Sequence, residues 1–86
     1  MQLKFSPKGF TDWQWWQKHN KKKSDKIEKL LDEMLLTPYT GTGKPEPLKH
    51  EFSGYWSRRI DRENRLIYKI ENESLMVISC RFHYEK

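Results

Sequence analysis

The chain has 86 residues and a mass of 10.6 kDa. That is enough for one domain with a small core and one surface site, and too little for a multidomain enzyme or a dinucleotide-binding fold. Its net charge is +5 with a pI near 9.4, and charged residues (34%) nearly equal apolar ones (35%). That balance alone would suit a disordered chain, but four each of Trp, Tyr and Phe supply the buried area a compact fold needs.

From charge alone, a nucleic-acid partner and an incidentally basic soluble domain weigh equally. A single cysteine, Cys80, forbids an intrachain disulfide and suits a reducing cytoplasm. No apolar run is long enough for a membrane span, and Met1–Phe5 is too short and mixed for a signal peptide.

Leu3 and Phe5 alternate with Gln2 and Lys4, the pattern of a short strand. Ser6-Pro7 then offers a hydroxyl cap followed by proline at the first helical position. Phe10, Trp13 and Trp16 define one apolar face of that helix, Gly9 weakens it locally, and Asn20 with Lys21-Lys22-Lys23 ends it. Ser24 is the expected cap of a second helix, whose stripe is Ile27, Leu30, Leu31, Met34 and Leu35 and whose stop is Pro38. The lysine run thus reads as the turn of a helical hairpin, equally a solvated turn or an rRNA phosphate contact.

Residues 38–47 form a loop stiffened by Pro38, Pro45 and Pro47, with Glu46 held between the last two. Strand patterns follow at 55–60, 65–70 and 75–82, separated by polar turns at 61–64 and 71–74. The expected fold is α+β: two N-terminal helices on one face of a small twisted antiparallel sheet, in the order β-α-α-β-β-β, within one domain spanning 1–86. Leu66, Tyr68 and Ile70 face the helices, so Arg65 and Lys69 make the other face basic, a platform suited to single-stranded RNA.

Metal-free phosphodiester cleavage needs a base for the 2′-hydroxyl, an acid for the leaving oxygen and fixed positive charge for the transition state. Glu46, His83 and Arg65 are candidates for these roles, although spacing alone also allows a solvated Glu46 and a frayed terminal His83. Cys80 with His83 would be at most half a zinc site, and Cys80 reads better as a small buried residue. Trp15 lies off the Trp13/Trp16 stripe and suits a protein contact.

The blocks Gly43-Lys44-Pro45-Glu46-Pro47-Leu48-Lys49-His50, Ser53-Gly54-Tyr55-Trp56-Ser57-Arg58-Arg59-Ile60, Arg65-Leu66-Ile67-Tyr68 and Cys80-Arg81-Phe82-His83-Tyr84 closely resemble the YoeB/Txe family of bacterial toxins, within the RelE/ParE superfamily. The resemblance runs over nearly the whole chain, which ends two residues past the His-Tyr pair with Glu85 and Lys86. It implies a RelE-like fold and a cytoplasmic, ribosome-dependent endoribonuclease that cuts mRNA in the A site. It further implies no metal or cofactor, a YefM-like antitoxin partner and a homodimer.

By the same resemblance Glu46 is the general base, Arg65 stabilises transition-state charge, His83 is the general acid and Tyr84 orients the scissile region. Lys49, Arg58 and Arg59 would contact phosphate. The alternatives are a non-enzymatic ParE-like toxin, whose branch lacks the Glu46/Arg65/His83/Tyr84 set, and an RNA- or antitoxin-binding module on the same fold. Register poses one question: two four-residue turns would put Arg65 and His83 on opposite faces, so either a bulge or a departing C-terminus is expected.

Overall fold

The computed structural model describes residues 1–82. In chain order the elements are β1 (Gln2–Phe5), α1 (Pro7–His19), α2 (Lys21–Leu36), β2 (Glu46–Pro47), a 3₁₀ turn (His50–Phe52), β3 (Trp56–Arg59), β4 (Arg65–Glu71) and β5 (Ser74–Ser79). The expected α+β layering of two helices on a sheet forms. The sheet has five strands in the order β1-β5-β4-β3-β2. It is mixed rather than wholly antiparallel, because β1 runs parallel to β5 while the other neighbours are antiparallel. No hairpin constrains β1, since both helices separate it from the remaining strands. The extra strand, β2, comes from the end of the expected loop.

Helix α1 begins as its sequence dictates. The Ser6 hydroxyl accepts from the Gly9 N–H (3.0 Å) and donates to the Ile78 carbonyl (2.8 Å), so the cap also ties the helix to β5. Gly9 has a positive role here: a Cβ there would lie 2.4 Å from the Val77 carbonyl oxygen, so its absence lets α1 lie directly on β5. Trp16 is buried as expected, but Phe10 is 47% exposed. It packs edge-on against Phe5, with ring centroids 6.0 Å apart.

The junction between the helices is a single residue. Asn20, not Ser24, caps α2 by accepting from the Lys23 N–H (3.1 Å), and Lys21–Lys23 form the first helical turn rather than a connecting loop. Cations there oppose the helix dipole. Lys21 pairs with Asp25 one turn on (3.2 Å) and Lys23 reaches Asp61 (3.0 Å), which offsets the conflict. Ser24 is buried instead.

The core lies between the α2 stripe (Ile27, Leu30, Leu31, Met34) and the sheet residues Ile60, Leu66, Tyr68, Leu75 and Val77. Strands β4 and β5 join through a two-residue turn, shorter than expected. Asn72 (φ 51°) and Glu73 (φ 60°) are both left-handed, as such hairpins require, and the ladder extends to Glu71 opposite Ser74. A bulge interrupts it lower down: Tyr68 pairs with Val77, but Ile67 pairs with Ser79. The bulge inverts the parity of the pairing, one of the two expected resolutions. β5 ends at Ser79 rather than at residue 82, and Phe82 adopts a left-handed backbone (φ 68°).

Candidate active site

Register defines the face opposite the helices. Glu46 pairs with Ser57, Ser57 with Ile67, and Arg59 with Arg65. Paired residues share a face and alternate ones along a strand return to it. Glu46, Arg59, Arg65 and Lys69 therefore project from one side, with the buried Ser57 and Ile67 as the floor between them. Two strand spacings and two residues of offset separate the Glu46 and Arg65 Cα atoms by about 12 Å. Side chains of these lengths can close on one phosphate and its ribose from opposite sides.

Glu46 sits on β2, a two-residue edge strand. Edges tolerate proline, and Pro47 completes the strand opposite Trp56. The Glu46 carboxylate is exposed and accepts no hydrogen bond among the described residues. The chain then turns sharply after Lys49 through a left-handed His50 (φ 58°) into the 3₁₀ turn. Residues Glu46–Phe52 line a cavity of about 460 Å³. Lys49 and Arg59 are both exposed.

Arg65 is half-buried and anchored at one nitrogen. Its Nη1 donates to the carbonyls of Asp61 (2.8 Å), Arg62 (3.2 Å) and Asn64 (3.2 Å). Its Nε and Nη2 make no hydrogen bond among the described residues. The guanidinium is thus oriented by its own loop while part of its planar fork remains available to an anion.

Arg58 occupies a different position from the expected phosphate contact. It is fully buried on the helix side, one residue out of phase with Arg59. Its Nε donates to the Tyr68 hydroxyl (3.3 Å), Nη1 to Glu33 (2.5 Å) and the Thr42 carbonyl (3.2 Å), and Nη2 to the carbonyls of Thr37 (2.7 Å) and Thr40 (2.8 Å). Strand alternation forces this, and the loop after α2 wraps the charge with carbonyls that a buried cation requires. The backbone N–H of Thr42 holds the Glu33 carboxyl below its usual range; the Thr42 hydroxyl and Arg58 add to this and burial opposes it.

Residues 80 and 81 are held by α1. The Cys80 N–H donates to Asp12 (3.0 Å), its carbonyl accepts from Trp16 Nε1 (2.6 Å), and its thiol, buried, lies 3.8 Å from the Gly9 carbonyl. Burial, with the Asp12 charge adding, pushes that thiol up to about 12, so it is inert as a nucleophile. The Arg81 guanidinium lies 3.6 Å from the centre of the Trp15 ring. Trp15 is consequently half-buried beneath a cation rather than presented as a bare contact. His83 and Tyr84, the expected acid and its companion, lie outside the described residues.

Comparison with known proteins places this geometry. A family model described as the YoeB-like toxin of bacterial type II toxin-antitoxin systems matches residues 5–84. The chain belongs to this family. It is 45% identical to Toxin YoeB of Escherichia coli K12 over 84 residues, covering 98% of this chain and 100% of that one. Its fold superposes on a YoeB/ParE toxin from Agrobacterium tumefaciens with a TM-score of 0.95 at 42% identity, covering 98% of this chain and 100% of that one. The Staphylococcus aureus YoeB solved with YefM gives 0.89 at 40% identity, and its dimer gives 0.90 at 39%, each covering 98% of both chains. The protein is therefore a toxin of a type II toxin-antitoxin system. No helix among its described residues is long and apolar enough to cross a membrane.

In this YoeB-like chain the turn 61–64 does more than reverse direction, which the sequence reading missed. Asp61 Oδ1 accepts from the N–H groups of Glu63 (2.9 Å) and Asn64 (2.7 Å) and from Asn64 Nδ2 (3.0 Å). The Asp-x-x-Asn spacing of an Asx turn was the available signal. Burial pushes the Asp61 carboxyl up, but Lys23, the Asn64 side chain and the two N–H groups outweigh it and hold it at about 2.

The folded value lies below the ordinary 3.8, so this carboxylate stabilises the fold above about pH 4 and loses that contribution as pH falls toward 2. After solvent screening the contribution is on the order of 1–2 kcal/mol. Urea denaturation between pH 5 and pH 2 should show a shallower pH dependence for Asp61→Asn than for the parent. Equal slopes would mean that Asp61 is not held down.

Proposed function

We propose that the toxin is a metal-independent, ribosome-dependent endoribonuclease that cuts mRNA in the A site and so halts translation. The observation that carries the reading is the shared face: a carboxylate at Glu46, without a partner among the described residues, opposite a half-anchored guanidinium at Arg65, on a chain with net charge +5. Glu46 takes the proton from the 2′-hydroxyl, and that oxygen attacks the adjacent phosphorus in line. The Nε and Nη2 of Arg65 bind the non-bridging oxygens as charge grows. His83 protonates the departing 5′-oxygen, and Tyr84 orients the scissile region. The products are a 2′,3′-cyclic phosphate and a 5′-hydroxyl. Lys49 and Arg59 contact flanking phosphates; Arg58 does not.

Ribosome dependence follows from how few groups act. The ribosome supplies the in-line geometry by holding the mRNA bent. A YefM-like antitoxin with an acidic segment would neutralise the basic face; the S. aureus relative is solved in complex with YefM. The S. aureus relative is solved as a dimer, and this chain would likewise pair with a second copy of itself.

The test is to incubate the protein with programmed ribosomes, and separately with free mRNA, and map the cut and its ends. Cleavage confined to the ribosomal arm, with 2′,3′-cyclic-phosphate and 5′-hydroxyl ends, is expected. Arg65→Lys keeps the charge but loses the fork, and should cleave about tenfold to a hundredfold more slowly. A parent protein that leaves ribosome-bound mRNA intact would refute the reading.

A further inference from the structure

We propose that Asn64 is a positioning residue that locks Arg65 to the chain entering His83 and Tyr84; this rests on the nuclease reading above. Its two side-chain ends face different elements. Nδ2 donates to Asp61 (3.0 and 3.2 Å to its two oxygens), and Oδ1 accepts from the Phe82 N–H at 2.6 Å. Asn64 is also Arg65's neighbour in sequence, and its carbonyl accepts from Arg65 Nη1. The Arg65 N–H closes the circuit by donating to the Phe82 carbonyl (3.1 Å).

The bulge makes this link necessary. β5 stops pairing at Ser79, so no strand ladder carries the β4 register forward to residue 82. Phe82 is left-handed and exposed, and its two backbone hydrogen bonds run to Asn64 and Arg65. One carboxamide therefore sets where the chain leaves β4's side, two residues or fewer before both proposed C-terminal groups. The other end of the carboxamide is fixed by Asp61, and Asp61 by Lys23 of α2 (3.0 Å), so the anchor is referred back to the helical layer. A carboxamide is the suitable group because one side must donate to a carboxylate while the other accepts from an amide.

A misplacement of about 1 Å between reacting groups costs up to a hundredfold in rate. Asn64→Ala should therefore lower single-turnover cleavage on programmed ribosomes about tenfold to a hundredfold, with KM within about threefold of the parent, and the Phe82 amide should exchange its hydrogen faster. Ile27→Val, a core truncation remote from the site, controls for stability and should cleave at the parent rate.

Asn64→Ala cleaving at the parent rate, a loss carried by KM alone, or an equal loss in Ile27→Val at matched melting temperature would each overturn the proposal. So would an unchanged Phe82 amide exchange rate in Asn64→Ala. A parent without ribosomal cleavage would instead refute the nuclease reading itself, and this inference with it.

Discussion

Arg58→Ala should destabilise the fold by about 3–5 kcal/mol, whereas Arg59→Ala should change stability by no more than about 0.5 kcal/mol. The residues are adjacent and chemically identical, and only strand parity separates them. Removing the Arg58 guanidinium leaves Glu33, three loop carbonyls and the Tyr68 hydroxyl without their shared donor. It also frees the loop after α2, which is gathered around that cation and leads into Glu46. In a domain of this size the loss amounts to a fall in melting temperature of about 12 °C or more. Circular-dichroism melts of the two variants would decide it. An Arg58→Ala protein that melts within a few degrees of Arg59→Ala would show the buried network to be dispensable. Arg59→Ala should instead weaken ribosome association most at low salt, where an exposed cation counts.

Glu46→Gln should slow cleavage on programmed ribosomes about a hundredfold to ten-thousandfold, with melting temperature and ribosome association close to the parent's. The substitution is isosteric, and Glu46 is exposed on an edge strand with no hydrogen-bond partner among the described residues. No described contact of the fold therefore depends on its charge, while the proposed reaction needs its basicity. Pro45 and Pro47 restrict the backbone on either side, so the carboxylate is presented at small entropic cost. Single-turnover rates measured with saturating toxin separate chemistry from binding. A Glu46→Gln protein that cuts at the parent rate would remove it as the base.

Much of the fold was legible because it is written in local periods. The stripe Ile27, Leu30, Leu31 and Met34 specified α2 at helical spacing, and Leu66, Tyr68 and Ile70 specified the buried face of β4 at strand spacing. Ser6-Pro7 marked the start of α1. The helix junction is ambiguous in sequence because Asn20 and Ser24 are both competent caps, and a basic run resembles a turn. Asn20 caps the helix, and the helix start that results sets Lys23 against Asp61, a partner distant in sequence. Arg58 was grouped with Arg59 because both belong to one basic block, although the Trp56-Ser57-Arg58-Arg59 alternation already put them on opposite faces.

Of this protein, the sequence by itself determined the helices, the strand faces, the family resemblance and the residues to suspect, since each depends on spacing along the chain or on residue identity. The tertiary structure alone decided that β1 runs parallel to β5, that a bulge inverts the parity of the last hairpin, that Arg58 is buried and that Asn64 holds Phe82. These depend on partners far apart in sequence, whose meeting is set by how buried polar groups find hydrogen bonds once the layers have packed.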